Sequence, residues 1–357
     1  MDTQDVAMVM ETAERWFGAQ DAPVRQSLPG LETASFPDLA NGAADRQWHA
    51  FAELGWLALS IPEGEGGFGA DLSTVLTFIR LAARHECQSP LDLHLVLAPV
   101  LLHRARDHRE RADWAQALIE GDMRLAMADG PLADHASDVV TAQSMALYGG
   151  HRATHAVLWA GGERLIPGAW LVNGEALAGG IQPARWLDGR ANAVVDLRDV
   201  AARPLDVAGT HLSAYACAAQ VADACGTFEA AFALTLDYLK QREQFGRPLA
   251  ALQVVQHRMA DVFCDLQQLL ALVDRLGRED DEWSGVDPVT LAAAKSHVGR
   301  RALRGVGQLI QLSGGIGVTD DYRLGRLYKR LHVAAALFVS SEDALQSLDA
   351  KTALLTA

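Results

Sequence analysis

Between Tyr238 and Gln253 the chain reads YLKQREQFGRPLAALQ, which sets Arg242, Glu243, Gln244, Phe245 and Gly246 at the junction of two apolar segments. A guanidinium fork suits the paired oxygens of a pyrophosphate, and an amide can bond a phosphate or the edge of an adenine. Further on, QLSGGIG places Gln311 ahead of Gly314, Gly315 and Gly317, and paired glycines let backbone approach a ligand closely. Taken singly, the first motif is a helix junction with a surface arginine and the second is a helix stop. Taken together they suit a phosphate-bearing ligand.

Other candidates are weaker. Gly64-Glu-Gly66-Gly-Phe-Gly69 has the spacing of a dinucleotide-binding turn. The preceding LGWLALS is a doubtful strand and no second strand ending in an acid follows, so the spacing predicts a glycine-rich loop between helices. Glu342 and Asp343 fall in the first turn of a helix, where acids favour the helix dipole without any catalysis. His332 reads as a helix-surface residue. The twelve histidines include no HExxH, and Cys87, Cys217, Cys225 and Cys264 include no CxxC, so no metal is expected and the cysteines read as reduced core residues.

These residues need elements to hold them. Apolar residues recur at helical spacing from Met1 to about Gly121, broken by SIPEGEGGFGADLS and by RARDHRER. From Asp122 the pattern changes to short apolar runs between glycine turns, HAVLWA, GAWLV and ANAVVDL, which predicts a small antiparallel β region. Helical spacing returns near His211. Leu252, Val255, Met259, Val262, Phe263, Leu266, Leu269, Leu270 and Val273 predict one long core helix after Pro248, with Leu252, Met259, Phe263 and Leu266 in the core. Asp287-Pro288 starts the next helix, which Gly314-Gly315 ends, and an amphipathic pair occupies Asp320 to Leu355. The expected architecture is mainly α with a central β domain: an N-terminal helical domain over 1–121, a middle β-barrel or sandwich over 122–205 and a C-terminal helical bundle over 206–357.

Composition narrows the partners. A net charge of −14 argues against nucleic acid or an anionic membrane, both of which would repel the chain. The N-terminus lacks the basic and apolar regions of a secretory signal, and LHLVLAPVLL is too short to span a bilayer. A soluble, cytoplasmic protein is expected.

YLKQREQFGRPLAALQ closely resembles the helix-turn signature of the acyl-CoA dehydrogenases, and QLSGGIGVTDDYRLGRLYKR resembles their C-terminal glycine motif. ELGWLALSIPEGEGGFGADLS is similar to a loop of their N-terminal helical domain. The resemblance implies FAD as cofactor, an acyl-CoA thioester as substrate and α,β-desaturation as the reaction. It implies that Arg242, Gln244, Phe245, Gln311, Gly314 and Gly315 hold the phosphates or adenosine of an FAD bound by a neighbouring subunit.

The chain departs from the family at the chemistry. The family's glutamate base corresponds to Phe338 or Val339, or in its other location to Ala216, and none is an acid. Of the β-region stretch that seats the flavin ring, Ser137, Asp138 and Thr141 remain, but the Thr-Glu pair has become Ala128-Asp129. No catalytic residue is therefore assigned. The resemblance is to the subunit without a base in heteromeric acyl-CoA dehydrogenases of the steroid side-chain type. It implies a hetero-oligomer, a tetramer favoured, with a related chain that carries the base and shares the FAD. Two readings stay open beside it: a self-sufficient homomer using Glu342 or Asp343, and a non-enzymatic interaction protein of the same fold.

Overall fold

The computed structural model describes residues 1, 3–24, 36–130, 132, 134–135, 138–160, 168–278, 283–319 and 322–356. Five helices come first: α1 (Thr3–Val24), α2 (Phe36–Glu53), α3 (Leu72–Arg84), α4 (Leu91–Leu102) and α5 (His108–Glu120). Two of them start on aspartate caps. Asp71 accepts from the Thr74 N–H at 2.8 Å and Asp107 from the Glu110 N–H at 2.9 Å, each satisfying a donor that the first turn leaves open. RARDHRER is thus not a simple turn; α5 begins inside it. Trp16, Phe17, Phe51, Trp56 and Phe78 form one aromatic cluster. Every residue of α4 is buried, as expected of a helix apolar nearly all round.

The strands are β1 (Leu125–Ala128), β2 (Asp134–His135), β3 (Val139–Tyr148), β4 (His155–Trp159) and β5 (Ala169–Asn173). After the short helix α6 (Gly174–Leu177) come β6 (Ile181–Arg185), β7 (Ala191–Ala201) and β8 (Arg203–Leu205). They run in the order β6-β7-β3-β1-β4-β5-β8, with β2 on β3. Pairing is antiparallel except at β1 and β4, which are parallel with Leu125 opposite His155. The sheet is therefore mixed. The antiparallel expectation followed adjacent runs and could not see β4 return beside β1. Side chains alternate across β1: Leu125 and Met127 join the helical core, while Ala126 and Ala128 join a separate cluster with Leu158 and Trp170. Burial on both faces explains the unbroken apolar run.

A 33-residue helix, α7 (Gly209–Gln241), then crosses the centre of the molecule. A Cβ on Gly226 would collide with the Arg80 carbonyl oxygen, so glycine is what lets α7 meet α3 backbone to backbone. After a two-stranded hairpin, β9 (Glu243–Gln244) and β10 (Arg247–Pro248), comes α8 (Gln253–Arg278). Its buried stripe is Val255, Met259, Val262, Leu266, Leu269, Val273 and Leu276. Phe263 is 46% exposed, so it is not core as expected. It lies at the margin of the stripe, with its ring 5.8 Å from that of Phe232, and Leu252 is only half-buried. α9 (Pro288–His297) continues through a π-turn at Val298–Ala302 into α10 (Leu303–Ser313), and the chain closes with α11 (Arg323–Ala336) and α12 (Ser341–Thr356). Residues 320 and 321, where the last helical pair was expected to begin, lie outside the described residues.

Candidate functional site

α7 ends at Arg242, whose N–H still reaches the Tyr238 carbonyl at 2.8 Å. Gln244 pairs with Arg247, and the two residues between them, Phe245 and Gly246, have φ of 56° and 74°. That is a two-residue hairpin turn requiring left-handed backbone at both positions. Glycine adopts it freely and phenylalanine does not. The result is that the Phe245 side chain stands 85% exposed, with Arg242 and Gln244 exposed beside it. This surface has no covering element in the chain's own described residues.

The second motif is presented in the same way. Gln311 is exposed on the last turn of α10, and Gly314 ends that helix with φ 69° and ψ −147°, a conformation in effect reserved for glycine. A Cβ on Gly246, Gly314 or Gly315 would meet nothing within 4 Å. Val318 is 77% exposed just beyond. Tyr322 then brings this segment to the end of α7, its ring 6.1 Å from Tyr238 and its hydroxyl donating to the Leu234 carbonyl at 3.4 Å. Both motifs therefore lie towards one end of the bundle. Among the described residues no hydrogen bond joins Arg242 or Gln244 to Gln311. Exposed cationic and amide donors beside open glycine backbone fit the adenosine-diphosphate half of a dinucleotide.

The remaining sequence candidates are placed elsewhere. Gly64 to Gly69 lie in a loop folded back on Ile61, whose carbonyl accepts from the Gly69 N–H at 2.8 Å, and among the described residues no strand precedes it. Ser137 lies outside the described residues. Thr141 bonds Asp199 across β3 and β7 at 3.2 Å, and Asp138 lines a groove of about 470 Å³ between α5 and the sheet, with Arg106, Trp114 and Arg203. Asp343 is a capping residue: its N–H donates to Ser340 Oγ at 3.0 Å, and that hydroxyl donates to Asp343 Oδ2 at 2.7 Å. Glu342 is exposed in the same turn. His332 is half-buried with its ring against Tyr328.

Two clusters were not foreseen from the sequence. The first surrounds Phe338, which follows α11 with φ 65° and is 7% exposed. Its N–H donates to Asp129 Oδ1 at 2.6 Å. Burial pushes the Asp129 carboxyl up, against the pull of that N–H and of Lys295. Lys295, buried in α9, donates from Nζ to the Ala334 carbonyl at 2.5 Å and the Leu337 carbonyl at 2.8 Å, and burial lowers its pKa. Ser341 Oγ donates to the Lys295 carbonyl at 2.7 Å. Three separated stretches of sequence, around 129, 295 and 334–341, thus hold one turn.

The second cluster is a buried ionic network. Asp92 Oδ2 accepts from the Tyr148 hydroxyl at 2.7 Å and from Gln220 Nε2 at 2.6 Å. Arg190 donates to Tyr148 at 2.7 Å and to Asp188 at 2.5 Å. Arg330 grips Asp223 through Nε at 2.9 Å and through Nη2, and donates to the Cys87 carbonyl at 2.7 Å. Burial alone would raise both Asp92 and Asp223. Asp92 stays raised, while Arg330 and Arg190 hold Asp223 below its ordinary value. The Tyr148 ring meets that of Phe338 at 6.0 Å, so the two clusters touch. Residues this far apart in sequence leave no spacing signal.

Comparison with known proteins gives consistent matches. The model of the acyl-CoA dehydrogenase N-terminal domain matches residues 3–122, and that of the C-terminal domain matches residues 213–341. Acyl-CoA dehydrogenase IpdE2 of Mycobacterium tuberculosis is 31% identical over 130 residues, 36% of this chain and 39% of that protein. Mitochondrial isovaleryl-CoA dehydrogenase of Arabidopsis thaliana is 36% identical over 104 residues, 29% of this chain and 25% of that protein. The matched part thus spans well under two thirds of either relative's length. Among solved structures, a variant of the Tcur3481-Tcur3483 steroid ACAD has a TM-score of 0.80 at 23% identity, covering 99% of each chain. The ChsE4-ChsE5 complex from Mycobacterium tuberculosis has a TM-score of 0.75 at 19% identity, covering 98% of this chain and 96% of the other.

Proposed function

The chain belongs to the acyl-CoA dehydrogenase family, and from that premise we propose that it is the subunit without a base of a cytoplasmic heteromeric enzyme that desaturates acyl-CoA thioesters. Its three parts, 1–121, 122–205 and 206–357, would assemble against a related chain that carries the base. One observation supports the reading: the resemblance puts Phe338 or Val339 in the place of the family's acid, neither is an acid, and Phe338 is a buried aromatic whose N–H is already bonded to Asp129. Removing a proton from the carbon next to a thioester needs a positioned carboxylate and donors for the developing oxyanion. Ala216, the alternative position, is fully buried in α7.

Arg242, Gln244, Phe245, Gln311, Gly314 and Gly315 all face outward. That presentation suits an FAD held mainly by a neighbour, with Arg242 on its pyrophosphate and the glycine backbone alongside. FAD, when bound, supplies the hydride acceptor. Two structural neighbours carry paired chain names, and one is called a steroid enzyme, which favours a second related chain and a ring-bearing acyl group. A self-sufficient homomer using Glu342 or Asp343 is less favoured, because Asp343 is spent on capping α12.

The experiment is to purify the chain alone and co-expressed with a related chain that carries the base. The lone chain is expected to hold little FAD and to turn over no acyl-CoA with an artificial electron acceptor, and the pair to do both. In the pair, Arg242→Ala removes charge-assisted bonds worth about 1.5–3 kcal/mol, so FAD affinity falls roughly tenfold to a hundredfold, and Arg242→Lys recovers part of it. Glu342→Ala leaves turnover unchanged. Stoichiometric FAD and turnover in the lone chain would establish the homomer instead, and normal FAD retention in Arg242→Ala would remove that residue from the site.

A further inference from the structure

We propose that the groove between α5 and the sheet is a ligand site of this chain, taking a small molecule that carries one carboxylate on a flat apolar body. The inference stands apart from the proposed function, since no residue of the groove belongs to the Arg242 or Gln311 motifs. A volume of about 470 Å³ falls in the range of small-molecule sites. One wall comes from RARDHRER, a basic segment that the proposed function leaves without a role. That segment grips Arg203 at the start of β8: Nη1 donates to Glu110 Oε1 at 2.7 Å and Nη2 to the Arg104 carbonyl at 2.8 Å. The same guanidinium lies 4.4 Å from the centre of the Trp114 ring.

Hydrogen-bonding capacity in the lining is used unevenly. Glu110 engages both of its oxygens, one on Arg203 and the other on the Arg106 N–H at 2.6 Å. The Arg106 guanidinium is exposed and has no bond of its own among the described residues. Burial and the Arg106 charge lower the pKa of Arg203 against the pull of Glu110, so the two cations stand close enough to repel. An anion bound beside them relieves that repulsion and gives Arg106 an acceptor. Asn173 accepts the Ala176 N–H through Oδ1, which leaves its amide N–H groups as further donors on the groove. Burial lowers the pKa of His155, so it adds no charge at neutral pH. Charge then selects the anion. Arg106 and Arg203 are matched by Glu110 and Asp138, so a monoanion leaves one net negative charge in the groove, whereas a dianionic phosphate leaves two beside two carboxylates. The body follows from the remaining surface: Leu171 and Ala202 are buried and apolar, and a planar ring lies well against a guanidinium stacked on an indole.

The test titrates the full chain with naphthoate at physiological salt and neutral pH, read by calorimetry. One site for each chain is expected. Naphthalenemethanol, the same rings without the charge, and adenosine monophosphate, a flat dianion, are each expected to bind at least roughly tenfold more weakly. Arg106→Gln changes an exposed side chain and is expected to weaken naphthoate roughly tenfold while leaving naphthalenemethanol unchanged. Ala201→Trp fills the groove from the exposed end of β7 and is expected to abolish binding of all three. No naphthoate binding to the native chain overturns the proposal, as does undiminished binding in Ala201→Trp, which would put the probe elsewhere. Native affinity in Arg106→Gln, equal affinity for the alcohol, or tighter binding of the nucleotide overturns the carboxylate as the ligand's anion.

Discussion

Consider Arg330→Met. Arg330 is 5% exposed and Asp223 2% exposed, and the arginine gives Asp223 both of its close bonds and holds the Cys87 carbonyl as well. Without it, Asp223 keeps only Arg190 at 3.6 Å, a distance at which the attraction no longer offsets the cost of a buried charge. Removing one partner of such a pair costs about 3–5 kcal/mol, whereas an exposed pair costs about 1 kcal/mol or less. Methionine fills most of the vacated volume, which limits any cavity contribution. Urea denaturation followed by circular dichroism would measure the loss. The companion variant, Arg330→Met with Asp223→Leu, removes the stranded charge too and is expected to recover at least half of it. A single-variant loss below about 1 kcal/mol would refute the reasoning, and so would a double variant as unstable as the single one.

Three other outcomes follow from the same interior. His94 is fully buried with Nε2 on the Leu57 carbonyl, and burial lowers its pKa to about 4. Its neutral form is favoured in the fold, so native stability falls by about 3 kcal/mol as pH drops from about 6.5 to about 4, and His94→Gln shows a shallower acid slope in urea titrations over that window. Asp92 has the opposite sense: its raised carboxyl favours the protonated form, so stability declines as pH rises from the ordinary carboxylate range through the raised value. Asp92→Asn, tested the same way, should flatten that decline; an unchanged slope would place the titration elsewhere. Of the four thiols, Cys264 is exposed, while burial pushes Cys87 up to about 12 and raises Cys217 and Cys225. A disulfide reagent should therefore modify one thiol quickly in the native protein and the other three only on unfolding.

How much of this could be read from the sequence depends on the range of each signal. The stripe on α8 was legible because a helix repeats its buried face every three or four residues; Phe263 at its margin is exposed and Leu252, just ahead of the helix, is half-buried. The Asp287-Pro288 start and the Gly314 stop were legible because caps are local chemistry. The hairpin at Arg242 was located as a junction, although the left-handed Phe245 at its tip was not foreseen. The parallel pairing of β1 with β4 was hidden, since a short apolar run does not name its neighbour. The contact of Asp129 with Phe338 joins residues 209 positions apart. Both stand out in the sequence as departures from the family, yet only coordinates set them side by side.

The buried ionic network also constrains the order in which the molecule can be made. Asp92 comes from α4, Arg190 from the connection between β6 and β7, Asp223 from α7 and Arg330 from α11. A ribosome delivers them in that sequence, and until residue 330 has emerged Asp223 lacks the guanidinium that neutralises it. The centre of the protein therefore cannot close on a growing chain that has not yet reached α11. Nascent α4 and α7 would wait hydrated around their carboxylates, and the last helices would complete the interior rather than cover one already formed.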